Sequence, residues 1–308
     1  MSIYLLFSIL VSYLVWIKCI YCRHRRTLVK SLKRAINVSS INETNNSGIK
    51  ALIVTAHPDD ECMFFAPTII RLSELNVSVH LLCLSEGNYY NQGPDRQKEL
   101  LNSCAVLGIP TSRVTIVDHK NLPDDPKAEW SVSLVSAVIV KHMRAHSFNM
   151  VLTFDGRGVS GHANHIAIHK AVSHLAYTGQ VPNDCSLLSL VTVGLLRKYF
   201  SFLELPISWL LPSHLCFITG SQGYSQAKVS FEKDILVHVH NISLHILIIK
   251  SIRIQFGCYF IINTFRLRYK GSVLFVLLSG CYALSSHPTS VVSLSLHRLL
   301  TLHVRKYL

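Results

Sequence analysis

Acidic side chains are scarce in this sequence. Seventeen Asp and Glu stand against 30 Lys and Arg in 308 residues, a formal charge of +13. From Ile235 to Leu308 there is no Asp or Glu at all. A basic surplus of this size points to an anionic partner: nucleic acid, a membrane surface or a phosphorylated substrate. No nucleic-acid-binding motif accompanies the charge, so no nucleic acid is expected as a partner. No G-x-G-x-x-G follows the first strand-like run, so a dinucleotide is not indicated. The nine cysteines have no regular spacing and read as reduced thiols of an intracellular protein. Nothing in the sequence speaks to oligomeric state.

Apolar residues, by contrast, are abundant: 49% of the chain, with a mean hydropathy of +0.33. That is high for a purely soluble domain and suggests membrane contact. Ser2 to Ile17 is apolar and uncharged, with Lys18 near its far end. Roughly 20 such residues cross a bilayer as a helix, and Tyr13, Trp16 and Tyr21 suit its interfaces. A cleaved signal peptide fits poorly, because no basic region precedes the run and no A-x-A-like site follows it. Arg23, Arg25, Arg26, Lys30, Lys33 and Arg34 follow the span, so the downstream chain is expected on the cytosolic side. The sequons at Asn37, Asn42 and Asn45 then go unused. The expected organisation is an anchor over 1–21, a basic flank and polar linker over 22–48, a catalytic domain over 49–230 and a basic, apolar tail over 231–308.

Within 49–230, strand-like and helix-like runs alternate. "KALIVTA", "VSVHLLCLS", "RVTIVD" and "NMVLTFD" read as strands. Ala66 to Leu75, Arg96 to Leu107 and Ser131 to His146 read as helices. Such alternation predicts a Rossmann-like, mostly parallel sheet with helices on both faces, an α/β fold preceded by one transmembrane helix. Ligands in these sheets bind beyond the carboxyl ends of the strands.

Two clusters fall at that edge. "AHPDDE", Ala56 to Glu61, follows the first strand, and "DGRGVSGHANH", Asp155 to His165, follows the fourth. His162 and His165, three apart near a helix start, share a face. His57, Asp60 and His165 together supply two nitrogens and one carboxylate. That set suits a catalytic zinc ion with open positions, and non-haem iron uses the same facial set. Each cluster alone reads as capping or surface residues; their joint position past strands of one sheet favours metal chemistry.

With these residues on the page, the chain resembles the LmbE-like zinc-dependent de-N-acetylases. The runs "AHPDDECMFFAPTI", "GNYYNQG", "ELLNSCAVLGIP", "DDPKAEW" and "LRKYFSFLELP" resemble the branch of that family acting on the membrane glycolipid N-acetylglucosaminyl-phosphatidylinositol, in the second step of glycosylphosphatidylinositol anchor synthesis. The resemblance implies His57, Asp60 and His165 as ligands of Zn2+ or another divalent metal. It implies Asp59 as general base, and a cationic His162 that stabilises or protonates the tetrahedral intermediate. It also implies an endoplasmic reticulum membrane protein with a cytosolic catalytic domain. Arg96 is expected to meet the substrate phosphate, and Asn88, Tyr89 and Asn91 to meet sugar hydroxyls. Asp155 is placed in the layer behind the ligands, and Glu61 at the cap of the following helix.

After Gln226 the resemblance stops. The histidine with Ser-Gln and the aromatic-basic segment expected of the family are absent. The tail reads either as a surface for anionic lipid or as a poorly folded replacement segment. The second reading of the whole chain is a catalytically impaired, membrane-anchored form that binds lipid or partners without turnover.

Overall fold

The computed structural model describes residues 2–36, 48–193, 215–235 and 261–269. All of them fall in one compact unit, Met1–Gly271. The sequons at 37–47, the run "LRKYFSFLELP" and most of the tail lie outside the described residues.

The core is a seven-stranded sheet. Its first four strands are β1 (Lys50–Thr55), β2 (Ser78–Cys83), β3 (Val114–Ile116) and β4 (Met150–Phe154). They are followed by β5 (Ser186–Leu190), β6 (Leu215–Thr219) and β7 (Ile261–Tyr269), in the order β3-β2-β1-β4-β5-β7-β6. The first five strands of that order are mutually parallel. β1 and β4 are continuous apolar runs because helices cover both faces; all five residues of β4 are buried. β7 pairs antiparallel with both β5 and β6. It comes from the tail, which therefore contributes a strand to the sheet rather than standing apart from it.

Helices α2 (Ala66–Glu74), α3 (Gly93–Leu107) and α4 (Val132–Ala145) lie close to their expected ranges, and α6 (Ala163–Tyr177) carries His165 in its first turn. α5 (Gly158–Gly161) is a single turn before α6, and α7 (Ser221–Ile235) begins the segment where the family resemblance fades. Gly108 closes α3 in the left-handed conformation that glycine tolerates.

The N-terminal helix differs from expectation. α1 runs unbroken from Ser2 to Ile36, 35 residues, or about 52 Å. The basic flank as far as Ile36 is therefore a continuation of the same helix. Leu28, Leu32, Ala35 and Ile36 repeat at helical spacing and are buried in the main core. Each large apolar side chain so buried contributes roughly 2 kcal/mol. Ile17 and Ile20 pack against Ile218 of β6. The seven described cysteines are free thiols; Cys19 and Cys22 form an exposed C-x-x-C on α1 that the sequence reading passed over.

Candidate metal centre

The site forms where the turn after β1 meets the turn after β4. Asp60 is buried, and its Oδ2 accepts the backbone N–H groups of Ala56 and His57, each at 2.9 Å. This folds the turn back on itself and fixes the carboxylate. Asp59, next in line, has φ 107°. A non-glycine residue in that region is strained and persists only where its surroundings hold it. Glu61 Oε2 accepts the Asp59 N–H at 3.1 Å, while Glu61 Oε1 accepts the Ser103 hydroxyl of α3. Glu61 therefore ties the turn to α3, and no side-chain cap bond forms at the π-helical turn Glu61–Phe65 that follows.

His165 projects from the first turn of α6, stacked on Phe154 at 3.9 Å between ring centroids. Its Nδ1 lies 3.1 Å from the Gly158 carbonyl oxygen, which takes the Nδ1 proton and leaves the lone pair on Nε2. That Nε2 comes within 3.1 Å of Asp60 Oδ1 but has no aligned hydrogen-bond partner, and it is buried. Two electron-rich atoms thus face one point, which calls for a proton or a cation between them. Gly158 has φ 57°, and a Cβ there would stand 3.1 Å from that of His165. Glycine is what lets this carbonyl reach the ring.

His57 completes the set. Its Nδ1 lies 3.9 Å from Asp60 Oδ2, and its Nε2 lies 3.3 Å from Asp124 Oδ1 and 3.0 Å from the Asn164 amide nitrogen. His57, His162 and His165 present donor atoms within 4.8 Å of one another, a spacing that could hold a metal ion. The donor chemistry fits a divalent cation: buried imidazole nitrogens, one fixed carboxylate and an orphaned Nε2.

Electrostatics separate the two aspartates. Burial alone would raise the Asp60 carboxyl, but His165, His57 and the backbone N–H bond overcome it and hold Asp60 well below the ordinary carboxylate value. Burial raises Asp59 to about 8, with Asp60, Glu61 and Asp124 pushing the same way against Arg96. Its side chain keeps 35% of its surface open, and that solvent access moderates the rise. Burial lowers His57 to about 4, so the ring is neutral, as a metal ligand must be. Burial and His165 lower His162, so it is neutral near pH 7 rather than cationic as expected. His162 Nδ1 accepts the Asn164 N–H at 3.3 Å, capping α6. The ring proton therefore sits on Nε2.

The Arg96 guanidinium donates to Asp59 Oδ2 at 2.7 Å, to Asp124 Oδ2 at 3.3 Å and to the Pro58 carbonyl. These bonds brace the site. Gly87, at φ 74°, makes room, since a Cβ there would meet Arg96 Cδ at 2.9 Å. Asp155 accepts from the backbone N–H and hydroxyl of Thr192 at 2.8 and 2.5 Å and from the Arg157 N–H at 3.0 Å. It holds the turn that carries Gly158 and touches none of the clustered residues in these bonds. Asn88 Oδ1 accepts the Gly93 N–H at 3.0 Å, and Asn91 adopts φ 58° in the same loop.

Asn88 and Tyr89 also line a cavity of about 300 Å³ with Glu86, His119, Lys120 and Asp124. Asp124 belongs to both the cavity and the His57–Arg96 cluster. Sequence reasoning quoted its run, "DDPKAEW", without assigning it a role. The available signal was its place in the loop after β3, at the same carboxyl edge as the other two clusters.

The description of the GlcNAc-PI de-N-acetylase family fits residues 52–176. The N-acetylglucosaminyl-phosphatidylinositol de-N-acetylase of Bos taurus is 49% identical over 181 residues, spanning 59% of this chain and 72% of the relative. A probable enzyme of the same name from Dictyostelium discoideum is 32% identical over 197 residues, 55% of this chain and 76% of the relative. Among solved structures, the N,N'-diacetylchitobiose deacetylase of Pyrococcus horikoshii aligns over 88% of this chain and 97% of its own, with a TM-score of 0.53 at 16% identity, a likeness of fold. Sequence, sheet and turn clusters agree, and the chain belongs to the GlcNAc-PI de-N-acetylase family.

Proposed function

We propose that the chain hydrolyses the N-acetyl group of N-acetylglucosaminyl-phosphatidylinositol, giving glucosaminyl-phosphatidylinositol and acetate. The observation that carries this reading is the convergence of Asp60 Oδ1 and the orphaned His165 Nε2 beside a braced Asp59. His57, Asp60 and His165 would hold a divalent cation, zinc by preference for this donor set. When bound, the cation supplies Lewis acidity that makes water acidic near pH 7 and polarises the amide carbonyl.

The chain's own groups do the rest. Asp59 in its ionised form, which the Arg96 guanidinium favours against burial, accepts the proton of the attacking water. As the C–O bond forms, charge gathers on the former carbonyl oxygen. His162 Nε2–H donates to that oxygen, a contribution of about 3 kcal/mol for one such donor. Collapse breaks the C–N bond, and Asp59 returns its proton to the leaving amine. The cavity beside Asp124 is the place for the rest of the headgroup: Asn88 and Tyr89 face sugar and inositol hydroxyls, and Lys120 offers a cation to the phosphodiester.

The apolar exposed part of α1 would anchor the protein in the endoplasmic reticulum membrane, with the domain in the cytosol. Its 18-residue window of highest hydropathy averages 2.1 and is only 11% buried. Acetate release from N-acetylglucosaminyl-phosphatidylinositol by purified protein tests the reading. Release that a chelator abolishes and zinc restores is the expected result. A folded, metal-loaded chain that releases no acetate overturns it in favour of a lipid-binding form without turnover.

A further inference from the structure

The direction of α1 relative to the sheet has a consequence for how the enzyme meets its substrate. β5 and β6 both pair antiparallel with β7, so they are parallel to each other and to β1 and β4. Their carboxyl ends form one edge, and the metal-centre turns lie on it. α1 runs against that direction. The Ser186 hydroxyl, at the start of β5, donates to the Ala35 carbonyl oxygen at 2.7 Å. The His24 ring hydrogen-bonds the backbone of Cys216, near the start of β6. The Tyr21 hydroxyl sits 3.1 Å from the point where a Cβ on Gly220, just past the end of β6, would stand. As residue numbers fall from 35 to 21, α1 climbs toward the carboxyl edge. Ile17 and Ile20 still pack on Ile218, and the helix continues in the same direction to its N-terminal turns, where Ile3, Leu6 and Phe7 keep 78%, 64% and 65% of their surface open.

The apolar run therefore ends beside Ile218 and Gly220, toward the carboxyl end of β6, and the exposed Arg23, Arg25 and Arg26 follow alongside the body of that strand. A second feature marks the same edge. The loop from β2 to α3 presents Tyr89 and Tyr90, 49% and 64% exposed and packed edge-to-face at 4.8 Å. Tyrosines with an apolar ring and a wet hydroxyl suit the headgroup region of a bilayer. The charges on neighbouring loops nearly balance: Lys120, Lys127 and Arg157 against Asp118, Asp125 and Glu129. Aromatic insertion, with the basic turn of α1, would carry the contact rather than a uniformly basic surface.

We propose that the carboxyl edge of the sheet rests on the membrane, with Tyr89 and Tyr90 in the headgroup layer, so that the metal centre receives the sugar while the lipid stays in its leaflet. Four strand steps separate β1 from β6, so the centre lies roughly 19 Å along the sheet from the strand against which α1 packs. The substrate reaches it by lateral diffusion and never leaves the bilayer. This rests on the reading of α1 as a membrane anchor.

The test uses the full chain in phosphatidylcholine–phosphatidylinositol vesicles, with the photo-crosslinker benzoylphenylalanine at position 90 or, at the opposite edge, in place of the exposed Tyr177. Flotation reports anchoring, and mass spectrometry after irradiation reports lipid adducts. Lipid adducts at least tenfold more abundant at 90 than at 177 are expected, with position 120 repeating the result should the variant at 90 not fold. Flotation with equal adducts, or more at 177, overturns the orientation while leaving the anchor in place. A chain that does not float overturns the anchor and the orientation with it.

Discussion

Asp124 bridges the metal centre and its brace: Oδ1 lies 3.3 Å from His57 Nε2, and Oδ2 lies 3.3 Å from Arg96 Nη1. One carboxylate thereby orients the imidazole of His57, a proposed ligand, and the guanidinium that holds Asp59, the proposed general base. Outer carboxylates of this kind fix the tautomer of a ligating histidine, and losing one typically costs 10- to 100-fold in metal affinity or activity. Asp124→Asn keeps the size and removes the charge. It is expected to weaken zinc binding about tenfold in a chelator competition and to lower kcat by a similar or larger factor. Unchanged zinc affinity and kcat would remove Asp124 from the centre.

The adjacent aspartates are expected to separate cleanly under substitution. Asp60 accepts two backbone N–H groups and faces His57 and His165, while Asp59 faces Arg96 and solvent. Asp59→Asn should retain metal and lose about 10²- to 10⁴-fold in kcat, the range for a positioned proton acceptor. Asp60→Asn should lose metal. Metal content by elemental analysis, measured beside acetate release, distinguishes the two.

His162 and His165 are three residues apart and converge on the same site, yet their hydrogen bonds give them different jobs. The Asn164 N–H occupies His162 Nδ1, and the Gly158 carbonyl occupies His165 Nδ1 from the donor side. His162→Ala is expected to keep zinc and lose roughly 100-fold in kcat, about 3 kcal/mol. His165→Ala is expected to lose zinc itself. Loss of zinc in both variants would make His162 a third nitrogen ligand.

Much of this was legible in the sequence because the parallel strands are local and continuous. "ALIV" and "MVLTF" have no charged interruption, and each is followed by residues suited to carry chemistry. The rest depended on contacts between distant parts of the chain. β7 inserts between β5 and β6 from a tail whose composition gave no periodic signal. Asp124 meets His57 only because the loop after β3 folds over the turn after β1. From the sequence, Arg96 is expected to meet the substrate phosphate; its contact with Asp59, for which the absence of a Cβ at Gly87 makes room, had no signal there. Glu61 looked like a helix cap because its bond to Ser103 of α3 is a tertiary one.

Glu61 predicts a pH dependence. Burial raises its carboxyl from 4.5 to about 7, although the Ser103 and backbone hydrogen bonds oppose the rise. The folded state then favours the protonated acid. That stabilisation is fully present below about pH 4.5 and is lost as pH rises through about 7. The shift corresponds to on the order of 3 kcal/mol. Glu61→Gln keeps one acceptor oxygen for the Asp59 N–H, turns an NH2 group toward the Ser103 hydroxyl oxygen, which can accept from it, and cannot ionise. Thermal unfolding in detergent should therefore show the variant gaining in Tm relative to the parent between pH 5 and pH 8. A difference in Tm that is constant over that range would contradict the assignment.

The stretch after the anchor reads as a basic flank because six cations dominate it. The stripe Leu28, Leu32, Ala35 and Ile36 recurs at helical spacing beneath those charges, and it is buried in the same core as β1 and β4. If that packing holds the domain to its anchor, Leu32→Ala should destabilise the whole fold by about 2–4 kcal/mol, as for other buried leucines cut back to alanine. Arg25→Ala, one of the exposed cations on the same helix, should change stability by less than about 0.5 kcal/mol. Denaturant unfolding followed at Trp130, which packs beside His57 at 6.1 Å between rings, reads the loss at the catalytic centre rather than at the helix. A Leu32→Ala variant with parental stability at that probe would mean that α1 does not pack on the catalytic domain in solution and that the flank behaves as a tether.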